Sequence, residues 1–209
     1  METRDDADVR LARALIDGNL EVFDEFVEVF RTRVFQYSYL MCGQREDAEE
    51  VAQDTLMKVF ENFARLREPE KVRSWVFRIA KNACLMKRRR SIFAPAHEMS
   101  LDHYVEDSSS TGHSREIPAA LDPPDMQAYR HEMNAALTRA IQHLPPNYRS
   151  VILLRDIEEL STEEAAEILE VSVDVVKQRL HRGRLALKKA LEEEVAPVEF
   201  ISRAGGSGE

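Results

Sequence analysis

The sequence is poor in the residues that build disulfide frameworks, tight turns and membrane spans. It has only seven glycines and two cysteines among 209 residues. Cys42 and Cys84 lie far apart, without the spacing of a metal or redox motif. No window approaches the roughly 18 consecutive apolar residues of a transmembrane helix, and the amino-terminal METRDDADVR lacks a signal core. We therefore expect a cytoplasmic protein with two buried thiols and no zinc site.

In place of these residues the chain has long stretches of alanine, leucine, glutamate, arginine and lysine, which favour helices. Runs of β-branched residues are few, so the sequence predicts an all-α protein. Apolar residues make up 44% of the chain and charged residues 32%. These proportions fit folded cores in small domains with much surface, and the length allows one large or two small domains.

Charge is distributed unevenly along the chain, whose net charge is −9. Residues 71–90 carry a net charge of +8 and residues 172–191 carry +5. The remaining segments are acidic, with −8 over residues 1–70, −10 over 91–171 and −4 over 192–209. Two compact basic islands in an acidic chain indicate two surfaces that meet a phosphate backbone, and acidic surfaces that meet another partner.

Apolar residues recur at helical spacing through residues 1–90, which we expect to form one small helical domain. Four segments have this periodicity: residues 7–17, 20–41, 45–66 and 72–90. Gly43 is expected to end the second helix in a left-handed conformation. A loop around Pro69 should separate the third helix from the fourth, which carries the first basic island.

Residues 91–127 differ in composition from the rest of the chain. They contain four prolines, a run of three serines, and seven acidic residues against one arginine. A structureless stretch of this length is unusual inside one compact domain. We interpret residues 91–127 as a long, flexible acidic linker between two domains, extended by its own charge. The glycine-rich end indicates a disordered tail over residues 193–209.

Residues 128–192 predict a second helical domain. Two helices flank the prolines at 145 and 146, and Pro146 suits the first position of the later one. Ser161 and Glu164 form a capping box that opens a short helix. After a three-residue turn, Ser172 is a good N-cap for a longer basic helix. This order of elements is a helix-turn-helix.

The second basic island lies on the longer helix of this helix-turn-helix. Side chains in its first turns would reach base edges in the major groove, whereas Arg179 and Arg184 are better placed for phosphates. The residues expected at base edges are Lys177, Gln178, His181 and Arg182. The alternative is a helical hairpin with a solvated basic face.

The first basic island interleaves aromatic and cationic residues. Trp75 and Phe77 alternate along the chain with Arg73, Arg78 and Lys81. Single-stranded nucleic acid is bound by such a combination, because unpaired bases stack on aromatic rings while cations neutralise phosphates. The alternative for each aromatic residue is burial in the core, which is the commoner role of a lone tryptophan.

Four stretches of the sequence carry a resemblance to a known family, and they are DAEEVAQDT from Asp47, WVFRIAKN from Trp75, LPPNYR from Leu144, and the helix-turn-helix. In these stretches the chain resembles a bacterial sigma factor of the extracytoplasmic-function (ECF) subfamily, group 4 of the sigma-70 class. Together they span about residues 20–90 and 128–191, in the order and spacing of the family. The two domains of such proteins are joined by a linker without a separate middle domain, as here.

The resemblance implies a promoter-specificity subunit of RNA polymerase. It assigns residues 1–90 to core polymerase and the −10 promoter element, and residues 128–192 to the −35 element. The third helix would dock on the clamp helices of the largest polymerase subunit, and the second domain would also touch the flap. The acidic linker would thread toward the active site. The resemblance further implies an anti-sigma factor as a partner, and it implies no cofactor, metal or enzymatic activity.

Three sets of site residues follow from the resemblance. Core polymerase binding is expected of Asp47, Glu50, Gln53, Asp54 and Lys58. Binding of the −10 element, with a flipped base held by the loop at 66–74, is expected of Arg67, Arg73, Ser74, Trp75, Phe77, Arg78, Lys81, Asn82 and Arg88. Binding of the −35 element is expected of Ser172, Lys177, Gln178, Arg179, His181, Arg182 and Arg184.

Two other classes of protein share some of these features. A stand-alone helix-turn-helix regulator would bind duplex DNA without polymerase and usually as a dimer. The aromatic-basic helix and the absence of a dimerisation heptad argue against that class. A helical adaptor or anti-sigma-like protein would bind only proteins, and the two basic islands argue against it. An enzyme is disfavoured because the sequence contains no nucleophile constellation, metal cluster or phosphate loop.

Overall fold

A computed structural model describes residues 4–93 and 124–204 of the chain. Within these ranges the protein is helical and has no strand, which confirms the predicted all-α class. The helices are α1 (Arg4–Ile16), α2 (Phe23–Cys42), α3 (Arg45–Asn62), α4 (Val72–Phe93), α5 (Pro124–His143), α6 (Pro146–Ile152), α7 (Thr162–Leu169) and α8 (Val173–Ala204). Most of the predicted acidic linker over 91–127 lies outside the described residues.

Short turns join these helices. Single 3₁₀ turns occupy Leu20–Val22, Phe63–Arg65 and Pro69–Lys71. The last of them is the loop that the proline at 69 predicted between α3 and α4. A π-helical turn, Leu153–Ile157, continues α6 toward α7. We call α1 to α4 the amino-terminal unit and α5 to α8 the carboxyl-terminal unit.

Several helix ends lie where local sequence signals predict them. Gly43 ends α2 with a φ of 87°, in the left-handed region that glycine adopts without steric cost. Pro146 is the first residue of α6. Ser161 and Glu164 make both hydrogen bonds of the capping box, at 3.1 and 2.7 Å. The hydroxyl of Ser172 accepts a hydrogen bond from the Val175 amide at 3.3 Å.

Aromatic side chains fill the core of the amino-terminal unit. Phe26 and Phe30 of α2 are fully buried, and their ring centroids lie 4.6 Å apart. Phe26 meets Phe63 edge-on at 5.4 Å, and Phe63 meets Trp75 edge-on at 6.2 Å. Such edge-on contacts suit the quadrupoles of the rings. Trp75 therefore belongs to the rim of this core, where it is half-buried.

Aliphatic side chains fill the core of the carboxyl-terminal unit, where α8 crosses α6 at Gly183. A Cβ atom at Gly183 would lie 3.3 Å from Ile152 Cγ1 and 3.3 Å from Tyr148 Cβ. Because that separation is tighter than ordinary van der Waals contact, a side chain here pushes the two helices apart. Gly183 therefore sets how closely α8 packs on the rest of its unit.

Helix α8 is longer than the sequence predicts. We expected a disordered tail from residue 193, but α8 continues to Ala204, and residues 205–209 lie outside the described residues. The ion pairs Lys188–Glu192 and Lys189–Glu193, each at 3.8 Å and spaced one helical turn apart, support the extension. Glu194 also contacts Arg139 of α5 at 2.7 Å. The acidic run thus continues the helix and ties it to α5.

The two units pack against each other and share one hydrophobic core. Val72 and Phe77 of the amino-terminal unit belong to the same buried cluster as Leu154 and Leu160 of the carboxyl-terminal unit. Helix α7 packs on α4, while α5 and α6 pack on α2. The sequence predicted two domains but no interface between them, so this contact is a finding of the structure.

The two cysteines are free thiols in different environments. Cys42 ends α2 and is half-buried, whereas Cys84 of α4 is buried. A hydrogen bond with Cys42, together with burial, raises the pKa of the Cys84 thiol well above its usual range. The same hydrogen bond lowers the pKa of Cys42. Full burial, expected of both thiols, therefore holds only for Cys84.

We predict that Gly183→Leu lowers the free energy of unfolding by about 1–3 kcal/mol, the usual cost of overpacking. The introduced side chain would collide with Ile152 and Tyr148. Urea unfolding of the full chain, followed by circular dichroism, measures the loss. Lys189→Leu, at an exposed position of the same helix, is the control and should change stability by less than about 0.5 kcal/mol. Equal stability of the two variants would contradict the close crossing at Gly183.

Candidate nucleic-acid and polymerase interfaces

The second basic island forms a solvent-facing surface on α8. Four side chains of its first turns are exposed, and they are Lys177, Gln178, His181 and Arg182. Val176 points the other way and is fully buried. Ser172 is exposed immediately before the helix, and Arg179 is half-buried. The structure thus gathers most of the predicted −35 residues on one face of the second helix of a helix-turn-helix, the element that enters the major groove.

Arg184 is exposed but already engaged by a carboxylate. Its Nε donates to Asp156 Oδ2 at 3.0 Å, and its terminal nitrogen donates to Asp156 Oδ1 at 2.5 Å. Hydrogen bonding to Asp156 raises the pKa of Arg184. Asp156 therefore places a negative charge beside the guanidinium and would compete with a phosphate for it.

The turn between α7 and α8 has an unusual backbone. Glu170 has a φ of 57° and a ψ of 44°, the left-handed region in which non-glycine residues are uncommon. Glu159, before α7, has a φ of 56°. Such conformations cost about 1–3 kcal/mol each and persist only where surrounding contacts favour them. The Glu170 carboxylate makes one such contact, accepting from Lys81 Nζ at 2.8 Å.

The first basic island does not form one open surface. The nine residues predicted to bind the −10 element differ widely in exposure. The exposed ones are Arg67, Asn82 and Arg88, the half-buried ones are Trp75 and Arg78, and the buried ones are Arg73, Ser74, Phe77 and Lys81. Only part of the predicted −10 surface is therefore accessible in this arrangement of the units.

Phe77 is a core residue, which corrects its assignment as a base-stacking platform. Its ring is fully buried and meets Tyr37 edge-on at 5.5 Å. Ala80 and Cys84, one and two turns along α4, are also buried on that face. Aromatic and basic residues alternate in the sequence, but the helix places Phe77 on its inner side. The alternation alone could not show this.

Cations of the first basic island face acidic groups around α7. Arg78 donates to the Glu167 carboxylate, and Lys81 donates to that of Glu170. Arg73 donates to the backbone carbonyl of Glu158. The acceptors belong to helix α7 and the turns at its two ends. The hydrogen bond and charge of Lys81 lower the pKa of Glu170, so this carboxylate stays ionised.

Arg33 of α2 lies at the centre of a buried charge cluster that comprises Asp8, Arg33, Arg73 and Glu158. Arg33 Nε and a terminal nitrogen donate to Glu158 Oε2 at 2.9 and 2.8 Å, and the other terminal nitrogen donates to Asp8. The Arg33 side chain is 4% exposed. Burial lowers the pKa of Arg33, but the carboxylates of Glu158 and Asp8 outweigh it and the net shift is upward.

The residues predicted to bind core polymerase lie along one side of α3. Glu50, Gln53, Asp54 and Lys58 are exposed, and Asp47 is half-buried. Lys87 of α4 pairs with Asp47 at 3.1 Å and with Glu50, so these two acids already have a basic partner. The later part of the face also carries two exposed apolar side chains, Met57 and Phe60.

Arg149, in the LPPNYR stretch, joins the two units in a role that the sequence did not reveal. Its guanidinium donates to the Met41 carbonyl at 3.0 Å and to the Leu144 carbonyl at 2.9 Å. The last carbonyls of a helix lack intrahelical partners and carry the negative end of the helix dipole. Arg149 therefore caps α2 of one unit and the end of α5 of the other.

Residues 4–93 and 124–204 lack two kinds of feature. In these ranges no three histidine, cysteine or acidic side chains are grouped as a metal site requires. No helix there combines the length and the apolar character that a bilayer span needs.

Two segments of the chain match known families. Residues 26–91, which cover α2 to α4, match Sigma-70 region 2, and residues 134–187 match Sigma-70, region 4. Over 176 residues the chain is 31% identical to the ECF RNA polymerase sigma factor SigW of Bacillus subtilis, an overlap of 84% of this chain and 92% of SigW. The chain belongs to the ECF sigma factors. The resemblance drawn from its motifs is confirmed.

Other ECF sigma factors are similar over much of the chain. SigE of Mycolicibacterium smegmatis is 32% identical over 170 residues, 81% of this chain and 61% of SigE. Two solved structures share the fold. CnrH, in complex with the cytosolic domain of CnrY, has a TM-score of 0.60 at 24% identity and covers 90% of this chain and 99% of its own. RpoE of Bartonella quintana, in complex with the anti-sigma factor NepR, has a TM-score of 0.58 at 20% identity. The match covers 81% of this chain and 96% of RpoE.

Proposed function

We propose that this ECF sigma factor binds core RNA polymerase, recognises a −35 and a −10 promoter element, and helps to melt the −10 region. The observation that carries the proposal is the pair of basic islands on α4 and α8. Each lies in a segment that matches a sigma-70 region, within a chain of net charge −9. Its site of action is the cytoplasm, and it is not itself an enzyme.

Binding of the −35 element is assigned to α8. Lys177, Gln178, His181 and Arg182 are exposed on its first turns, which supports a role at base edges. Ser172 and Arg179 flank this group and are assigned to the phosphate backbone. Arg184 contributes less, because Asp156 holds its guanidinium.

Binding of the −10 element is assigned to α4 and the turn before it. Arg67, Asn82 and Arg88 are exposed and would meet the displaced strand directly. Capture of unstacked bases in the loop at 66–74, rather than a chemical fuel, would drive strand opening. Phe77 is withdrawn from this set because it is buried, while Trp75 stays in it as a half-buried rim residue.

Docking on core polymerase is assigned to the outer side of α3, where Gln53, Asp54 and Lys58 are exposed. On the polymerase, the two DNA-binding surfaces would be held at a fixed separation. Once one surface has bound its promoter element, binding of the other surface becomes an intramolecular event. Two modest affinities for DNA therefore combine into one tight and specific interaction. The acidity of the whole chain weakens its binding to DNA when it is free.

An anti-sigma factor is a further partner. RpoE of Bartonella quintana, which shares this fold, was solved with the anti-sigma factor NepR. A stand-alone helix-turn-helix regulator remains the alternative function. The match of α2 to α4 to sigma-70 region 2 disfavours it, since such a regulator needs only the carboxyl-terminal unit.

Transcription from a promoter library by core polymerase, with and without this protein, tests the proposed function. We expect promoter-selective transcripts only when the protein is present. If the protein instead bound particular duplex sequences alone and produced no new transcripts, the stand-alone regulator would be the better assignment.

We predict that Asp54→Ala weakens binding to core polymerase by about tenfold, the effect of losing one interface contact worth roughly 1.4 kcal/mol. Fluorescence anisotropy of labelled protein titrated with core polymerase measures the affinity. Glu28→Ala, an exposed acid on α2, is the control and should leave the affinity unchanged. Unaltered holoenzyme assembly with Asp54→Ala would show that α3 is not the docking helix.

We predict that Asn82→Ala reduces open-complex formation and leaves core binding intact, because Asn82 is an exposed residue of α4, the helix assigned to the −10 element. Permanganate footprinting of unpaired thymines on a promoter from the library measures opening. Asn147→Ala, exposed in the carboxyl-terminal unit, is the matched control. Normal opening with Asn82→Ala would remove Asn82 from the −10 site.

A further inference from the structure

The loop assigned to base capture, at 66–74, rests on α1. Its central 3₁₀ turn, Pro69–Lys71, packs against α1, and α1 also packs on α4. Leu66 and Val72, on either side of the turn, are buried in the same hydrophobic cluster as Leu15 of α1. Helix α1 therefore supports the inner side of this loop.

Two ion pairs tie α1 to the same loop. Arg13 Nη2 donates to Glu70 Oε1 at 2.6 Å. Earlier on α1, the buried carboxylate of Asp8 lies 3.6 Å from Nε of Arg73, near the end of the loop. Asp8 also binds Arg33 in the buried charge cluster, whereas both partners of the first pair are exposed. The pair of Arg13 with Glu70 is therefore the contact that can be changed without disturbing the core.

Arg13 also offsets an acid at a place where a DNA strand is expected. The loop carries two acids, Glu68 and Glu70, and an uncompensated carboxylate repels phosphates. Glu68 pairs with Lys71 of the loop itself at 2.9 Å. Glu70 instead pairs with a cation of α1. Arg13 thus both tethers the loop and neutralises one of its two acids.

Helix α1 lies outside both segments that match the sigma-70 regions. Those segments cover residues 26–91 and 134–187, whereas α1 is Arg4–Ile16. The two matches therefore assign no role to α1, and its contacts with the loop supply one.

We propose that α1 is part of the −10 site, in which Arg13 is a positioning residue that holds the turn Pro69–Lys71 in the shape that captures an unstacked base. The inference rests on the proposed function, because it concerns how the same loop captures the base. A loop that is already ordered binds better, since ordering a mobile loop on binding costs conformational entropy. An exposed ion pair changes an equilibrium by at most about fivefold. Arg13 therefore tunes the efficiency of promoter opening.

The test reverses the charge of Arg13 in the full chain, as Arg13→Glu. A swapped pair, Arg13→Glu with Glu70→Arg, then restores the contact in the opposite sense. The matched control is Arg10→Glu. Arg10 is another exposed arginine of α1, and its ion pair, at 3.5 Å, is with Glu25 of α2. The two single variants therefore make the same charge change on the same helix.

Permanganate footprinting with saturating holoenzyme, on a promoter selected from the library, measures the rate of opening. Arg13→Glu should lower this rate by about fivefold. Arg10→Glu and the swapped pair should stay within about twofold of the wild type. Affinity for core polymerase should be equal in all four proteins, because a folding defect would lower it as well. An unchanged rate in Arg13→Glu, an equal loss in Arg10→Glu, or no recovery in the swapped pair would overturn the inference.

A spin label on the loop measures the positioning without transcription. The label is attached at Arg67→Cys, an exposed position of the loop, with Cys42→Ser and Cys84→Ala in the background. Its mobility in the electron paramagnetic resonance spectrum should rise with Arg13→Glu and return to the wild-type value in the swapped pair. Arg10→Glu should leave it unchanged. Equal mobility with and without Arg13→Glu would show that α1 does not hold the loop.

The two measurements separate this inference from the proposed function. If the wild type directs promoter-selective transcription but Arg13→Glu changes neither opening nor label mobility, only the role of α1 is wrong. If the wild type directs no transcription while Arg13→Glu loosens the loop, α1 positions the loop and the sigma-factor mechanism falls.

Discussion

The bridge from Arg33 to Asp8 and Glu158 is the interaction on which the arrangement of the molecule depends. It joins α1, α2 and the turn that precedes α7, and it lies in the hydrophobic interface between the two units. A buried arginine requires partners for its charge and its donors, so it fixes how the units meet. Once they meet in this register, α7 lies on α4, and the cations of α4 meet glutamates instead of solvent.

The basic residues of α4 have two sets of partners. The basic residues of α4 are held by acids of the same chain in the free protein, and the same residues are assigned to promoter DNA in the complex. Intramolecular acids and DNA phosphates would compete for these cations, because both accept charge-assisted hydrogen bonds from them. On α8, by contrast, Lys177, Gln178 and His181 are exposed, and of the basic residues predicted to bind the −35 element Arg184 is paired with Asp156.

Local order could be predicted from the sequence, and long-range contacts could not. The left-handed cap at Gly43, the capping box at Ser161 and the helix-turn-helix depend on neighbouring residues, and the structure confirms them. Arg33 and Glu158 are 125 positions apart in the sequence, and the periodicity of apolar residues does not predict a contact at that separation. The burial of Phe77 was missed because alternation along the chain does not reveal which helix face a residue occupies.

The most direct test of the Arg33 bridge is the distance between the two units in the wild type and in the variant Glu158→Gln. Energy transfer can be measured between fluorophores on cysteines introduced at the exposed positions Glu28 of α2 and Lys188 of α8, with Cys42→Ser and Cys84→Ala in the background. We expect efficient transfer in the wild type and a clear loss of transfer in Glu158→Gln, because this variant removes the carboxylate that pairs with Arg33 across the two units. The same efficiency in both proteins would contradict the role of the Arg33 bridge in fixing how the units meet.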